Sequence, residues 1–209
     1  MHLAALYGVY QTLFHARTTT VLWLCFFWFI SGISITAGAH RLWAHRAYRA
    51  HFVLKLMLML FNCVALQSDL ISWAITHRCH HRWSETDADP HDSRQGFFFC
   101  HIGWILLEKN APRVQRENEI YKEDLLTDEV LVFQKRYYPV LVLLCCFVIP
   151  TAVPVVFGAE TVPTAFFVCV CFRYMWMQHA TWTVNSLAHL YGSRPYDRHI
   201  EPRQNWLVK

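Results

Sequence analysis

The chain has 209 residues, 55% of them hydrophobic and 16% aromatic, and a formal net charge of +4. That content suits one globular domain or a small integral membrane protein. The basic residues are scattered among 15 acids and form no stripe, so nucleic-acid binding has no support.

Where the apolar residues lie decides between the two classes. The opening MHLAALYGVYQTLF has neither the basic n-region nor the small-residue cleavage site of a secretory signal. It reads as the second half of a spanning helix, residues 3–14, whose start is absent. After a turn through His15 and Arg17, the 22 uncharged residues from Thr18 to Ala39 are long enough to cross a bilayer. The mixed region from His40 to Arg136 holds two shorter apolar stretches, Leu56 to Ser68 and Phe97 to Leu107. At about 1.5 Å per residue neither can cross, and both are expected to lie in the interface or against the protein. A further span runs from Tyr137 to Gly158, with Pro139, Pro150 and Pro154 bending or fraying it. A turn over residues 158–163 leads to a fourth apolar segment, Thr164 to His189. At about 40 Å that segment exceeds the hydrocarbon core, so its last turns project into water.

The expected fold is therefore an all-α integral membrane protein with up to four transmembrane helices, the first partial. No internal repeat or low-complexity linker divides it, so residues 1–209 are read as one domain. Arg41, Arg46 and Arg49 follow the second span, Lys135 and Arg136 precede the third, and Arg194, Arg198 and Arg203 follow the fourth. The positive-inside rule then puts the middle region and the C-terminus in the cytosol. No CxxC occurs, and Cys25, Cys63, Cys145, Cys146, Cys169 and Cys171 lie in apolar runs, so they read as small buried hydrophobes.

Thirteen histidines is a high count, and six fall in three motifs on one predicted membrane face. HRLWAH carries His40 and His45. HRCHH places His77, His80 and His81 at i, i+3 and i+4, on one helical face. NSLAH sets Asn185 and His189 at i, i+4 on the projecting end of the last span. Neutral imidazole suits iron, copper, zinc and nickel, and six histidines from three segments surround two ions better than one. His2, His15, His51, His101, His179 and His199 read as interfacial polar groups. Cys79 has no partner thiol. There is no HExxH for a zinc protease and no Glu-x-x-His pair for a ferritin-like carboxylate site.

HRLWAH, HRCHHRWSETDADPHD, GFFFCHIGW and NSLAHLYGSRPYDR together closely resemble the membrane acyl-CoA desaturases of the stearoyl-CoA desaturase type, most of all the insect branch, over essentially the whole chain. The resemblance implies four transmembrane helices, a cytosolic helical cap carrying the histidine boxes, a location in the endoplasmic reticulum membrane and a histidine-ligated di-iron centre that activates O2. The implied reaction places a cis double bond in a fatty acyl-CoA, with electrons from cytochrome b5 and its NADH-dependent reductase. A second copy of the chain is a further candidate partner. Carried over by motif, the iron ligands are His40, His45, His77, His80, His81 and His189, with Asn185 acting through a water. Lys109 and Trp182 match substrate contacts, the lysine suited to a CoA phosphate.

The chain departs from the family at several points. The further HxxHH box of the family, which supplies three more ligands, is not reached before Lys209; with the clipped first span this reads as a fragment, inactive alone. Ile75 and Thr76 replace a usual Arg-Asp, Ser68, the matching substrate-site position, replaces an asparagine, and Glu108 replaces an arginine, which weakens the grip on a polyphosphate head group. Ser84, Asp87 and Asp89 of SETDADPHD read first as caps and turn formers, the alternative being hydrogen bonds to the outer nitrogens of metal-bound histidines. Two other functions stay open: a non-catalytic membrane protein retaining the fold, and a related histidine-box hydroxylase.

Overall fold

A computed structural model of the chain describes residues 1–198 and 200–208, which leaves His199 and Lys209 outside the description. The described residues are helical with no named strand, and a single bridge pairs Ser193 with Gln204. The chain divides into two compact units, Met1–Ala74 with Glu123–Gln178, and Ile75–Lys122 with His179–Lys209.

The first unit opens with α1 (His2–Phe14), too short to cross a bilayer. Next comes α2 (Thr18–Ala44), 27 residues long. It runs past the Ala39 boundary expected from charge, because its last stretch, Ser34–Ala44, winds as a π-helix and keeps His40 inside the helix. After α3 (Phe52–Ala65) the chain breaks and bends by 83° into α4 (Leu70–Arg82), which ends in the second unit. A short α7 (Glu123–Leu126) precedes α8 (Glu129–Gly158), 30 residues long. The last helix, α9, is continuous over residues 162–190 and begins in this unit.

Among the described residues two helices, α2 and α8, are long and apolar enough to cross a membrane, and the bent α3–α4 pair makes a third if it counts as one span. The expected fourth span is present as a long helix, but Arg173, Gln178 and His179 lower its apolar character. The burial of Arg173 explains why such a residue is tolerated. Its side chain is fully buried, and its guanidinium donates to the Val64 carbonyl at 2.9 Å, Ser31 Oγ at 3.2 Å and the Cys169 carbonyl at 2.8 Å, with Cys146 Sγ at 3.2 Å.

These bonds support the break between α3 and α4. Leu66 and Ser68 both have positive φ, 52° and 78°, and a helix that stops leaves carbonyls and amides without intrahelical partners, which where buried must be met by other protein groups. Arg173 takes the Val64 carbonyl, Gln178 Nε2 takes the Leu66 carbonyl at 3.2 Å, and Gln134 Oε1 accepts from Leu70 N at 2.8 Å. A cation at the C-terminal end of α3 also complements its dipole. The segment expected to lie at the interface is thus the first limb of a broken helix.

At the opposite helix ends, one carboxylate serves two N-termini: Glu160 accepts from Arg17 N and Thr20 Oγ1, and from Thr161 N. Asp128 caps α8 through Val130 N and pairs with Lys55 Nζ at 2.7 Å. Leu24, Val168 and Cys169 form one buried cluster, and Phe27, Ile30 and Val64 another. Leu22, Phe26, Phe29, Val156 and Phe157 stay exposed, as expected for a lipid-facing exterior. Cys25 is exposed among them, so it is not the buried hydrophobe its apolar run suggests, whereas Cys63, Cys146, Cys169 and Cys171 are buried.

The second unit comprises the end of α4, a loop with a 3-10 turn at Ser93–Gln95, α5 (residues 99–106), α6 (Ala111–Asn118), the end of α9 and the C-terminal segment. Its loop is organised by carboxylates. Asp92 caps the 3-10 turn through Arg94 N and pairs with the Arg94 side chain, which also reaches Asp87.

Candidate metal centre

Of the residues expected to ligate metal, His40 and His45 belong to the first unit. Their rings lie 4.5 Å apart between centroids at 79°, brought together by the π-helical winding at the end of α2. His77, His80, His81, Asn185 and His189 belong to the second unit.

Within the second unit the i, i+4 spacing on α4 brings His77 and His81 to 3.0 Å between their Nε2 atoms. Two imidazole nitrogens this close share one proton, and can share one cation in its place. His80 sits on the same helix with its ring 5.1 Å from that of His189 and 5.4 Å from that of His81. Asn185 is half-buried one helical turn before His189.

Both inner histidines are oriented by carboxylates. His80 Nδ1 donates to Asp89 Oδ1 at 2.7 Å, and His189 Nδ1 donates to Glu85 Oε1 at 3.0 Å. A histidine tied at Nδ1 ligates through Nε2. Asp89 is in turn fixed by His91 N and Glu85 N, and Glu85 by the amide and hydroxyl of Ser93. Burial pushes the Glu85 carboxyl up, but the bonds from His189 and Ser93 outweigh it and hold the group at about 2. Glu85 is therefore an anion at any physiological pH. Imidazoles backed at Nδ1 by carboxylates are a donor set that fits a histidine-ligated metal.

SETDADPHD thus combines both of its readings. Asp89 does shape the turn, through Glu85 N and His91 N, and it also holds a ring nitrogen of His80. Ser84 caps nothing, its hydroxyl being buried without a hydrogen bond. Glu85 was not foreseen, because Glu in a turn-rich string carries no local signature and its partner is 104 residues away. Nor was the placement of His91, which is buried against the Trp104 ring at 4.3 Å and lies 5.0 Å from His80. Burial, then the neighbouring His80 and Arg113, push its imidazole well below its usual value.

His101 and His179, expected as interfacial polar groups, instead pair with each other. His101 Nε2 lies 3.0 Å from His179 Nδ1, and His101 Nδ1 lies 2.9 Å from Ser186 Oγ, whose own hydrogen goes to the Trp182 carbonyl. Both rings stand edge-on to the buried Trp182. Of the other substrate-site candidates, Lys109 is half-exposed and paired with Glu117, while Ser68 is exposed at the α3–α4 break in the first unit.

An all-helical fold with membrane-spanning helices and carboxylate-backed imidazoles defines an integral membrane protein of the histidine-cluster type. A family profile described as fatty acid desaturase matches residues 18–208, and the chain belongs to that family. It is 47% identical to a Delta(9)-fatty-acid desaturase of Caenorhabditis elegans over 98% of this chain and 60% of that protein. It is 46% identical to an acyl-CoA Delta-9 desaturase of Acheta domesticus over 98% of this chain and 57% of that protein. The figure for a stearoyl-CoA desaturase of Homo sapiens is 47%, over 100% of this chain and 58% of the relative. The chain spans about three fifths of the length of the curated relatives it matches.

Proposed function

We propose that this chain carries metal-binding and substrate-binding residues of an acyl-CoA desaturase, an oxidoreductase that removes two hydrogens from neighbouring methylenes of a fatty acyl chain, leaves a cis double bond and reduces O2 to water. The observation that carries the reading is the shared orientation of His80 and His189, each held at Nδ1 by a carboxylate. The names of the relatives supply the substrate class.

The residues that would hold a di-iron centre are His40, His45, His77, His80, His81 and His189, with Asn185 through a water. Bound there, iron supplies the oxidising power that an unactivated C–H bond demands. The protein's part is positioning. Asp89 and Glu85 fix the tautomer and ring angle of two ligands. His101 and His179 hold the Trp182 indole, against which the acyl chain is proposed to rest, since the depth at which a chain is held sets which carbon reacts. Lys109 and Ser68 complete the proposed substrate contacts.

The arginines that follow α2 and the Lys135–Arg136 pair on α8 support an orientation with the histidines facing the cytosol, and the endoplasmic reticulum is the proposed membrane. Cytochrome b5 with its NADH-dependent reductase is the proposed electron source.

The test is a chimera in which residues 1–209 replace the matching segment of a stearoyl-CoA desaturase, expressed in yeast lacking its own desaturase. Growth without added unsaturated fatty acid, and cis-monounsaturated product, are expected. A chimera that inserts in the membrane yet binds no iron and supports no growth refutes the proposal, and hydroxylated product would assign the hydroxylase chemistry instead.

A further inference from the structure

Three polar side chains converge on one carboxylate in the second unit. Glu117 on α6 has only 11% of its side chain exposed, and Oε2 accepts from Lys109 Nζ at 2.6 Å. Oε1 accepts from the equally buried Arg113 Nε at 2.9 Å and from Thr76 Oγ1 at 3.4 Å. The Arg113 guanidinium also lies over the Trp104 ring, 5.7 Å from its centroid, so it is held from two sides. The exposed Glu108 adjoins Lys109 in sequence. Both cations therefore already donate to Glu117.

A carboxylate and a phosphate compete for the same donors, and a bidentate anion built into the chain competes at a high effective concentration. We infer that Glu117 is a specificity-determining residue: it masks Lys109 and Arg113 from the phosphates of the acyl carrier, so that substrate is recognised mainly by its acyl chain and thioester. This inference rests on the acyl-CoA reading above. It adds that the head group contributes little to binding at this cation pair, and it names the residue responsible.

The test measures binding to the chain in lipid nanodiscs at fixed ionic strength, with stearoyl-CoA and with S-stearoyl-pantetheine, which keeps the thioester and lacks every phosphate. For the unmodified protein the two ligands are expected to bind within about threefold of each other. In Glu117→Gln, stearoyl-CoA is expected to bind about tenfold tighter or more, the scale of one charge-assisted hydrogen bond, with S-stearoyl-pantetheine unchanged. Adding Lys109→Gln to that variant is expected to remove the gain. A tenfold preference of the unmodified protein for stearoyl-CoA overturns the inference, and this measurement decides the matter alone should Glu117→Gln fail to fold. Unchanged stearoyl-CoA affinity in a folded Glu117→Gln overturns the inference while leaving the substrate reading standing. If the unmodified protein binds neither thioester, the proposed function fails and the inference falls with it.

Discussion

Arg173 Nη1 donates to the Val64 carbonyl across 2.9 Å, joining the last helix to the point where α3 stops. Those residues are 109 apart in sequence, and the bond answers a local problem. A helix that ends at the buried Val64 and Ala65 with Leu66 in the left-handed region must have its last carbonyls satisfied by protein. Arg173 is suited because a guanidinium carries five donors in a fixed fork, and Ser31, Cys169 and Cys146 surround its remaining edges.

Replacing Arg173 by Leu is expected to destabilise the first unit by at least about 2 kcal/mol, since it orphans the Val64 carbonyl and leaves Ser31 one partner short. Arg173→Lys keeps the charge, loses the fork and falls in between. Unfolding in detergent micelles measures both, and a loss below about 0.5 kcal/mol in the Leu variant counts against the capping role.

The carboxylates behind the histidines make a second prediction. Asp89→Ala and Glu85→Ala are each expected to lower iron affinity by about 10- to 100-fold, because His80 and His189 lose the bond that fixes their tautomers. Iron titration of the chimera described above is the check; equal affinity in all three proteins would show that the carboxylates only shape the loop.

Gly8 supplies a steric prediction. A Cβ there would strike the Phe167 carbonyl and the Phe172 Cβ, so α1 could not keep its approach to α9. Gly8→Ala is expected to cost about 1–3 kcal/mol despite the better helix propensity of alanine. Increased proteolysis of residues 1–16 in the variant would report the displaced helix.

The ion cluster on α6 predicts how the second unit responds to acid. Burial raises the Glu117 carboxyl, but Lys109 and Arg113 outweigh that and leave it below its ordinary value of 4.5. A carboxyl whose folded value is depressed contributes stability that is fully present above its unfolded value and lost as pH falls through the folded one. The stability that ionised Glu117 contributes should therefore decline below about pH 4.5, with a shallower decline in Glu117→Gln. Parallel acid-unfolding curves for the two proteins would contradict this.

Local sequence was informative wherever the signal was local. α2 and α8 are legible from uncharged runs alone, although the π-helical end of α2 carries the helix on to Ala44. The i, i+4 spacing of His77 and His81 predicts their meeting on one helix face, and they do meet. The α3–α4 break was not legible, because Leu66 takes a left-handed conformation without the glycine that usually announces one. His101 and His179, 78 residues apart, looked bland singly and acquire a role only as a pair.

By itself the amino-acid sequence determined which segments can enter a bilayer and which residue types could gather around a metal, because both depend on composition and spacing within a turn or two of helix. Only the tertiary structure decided how Arg173 escapes lipid, which carboxylate orients which imidazole, and that Glu117 holds Lys109 and Arg113. Buried polar groups must find partners wherever the folded chain brings them, and those partners lie up to 153 residues away, beyond the reach of any local pattern.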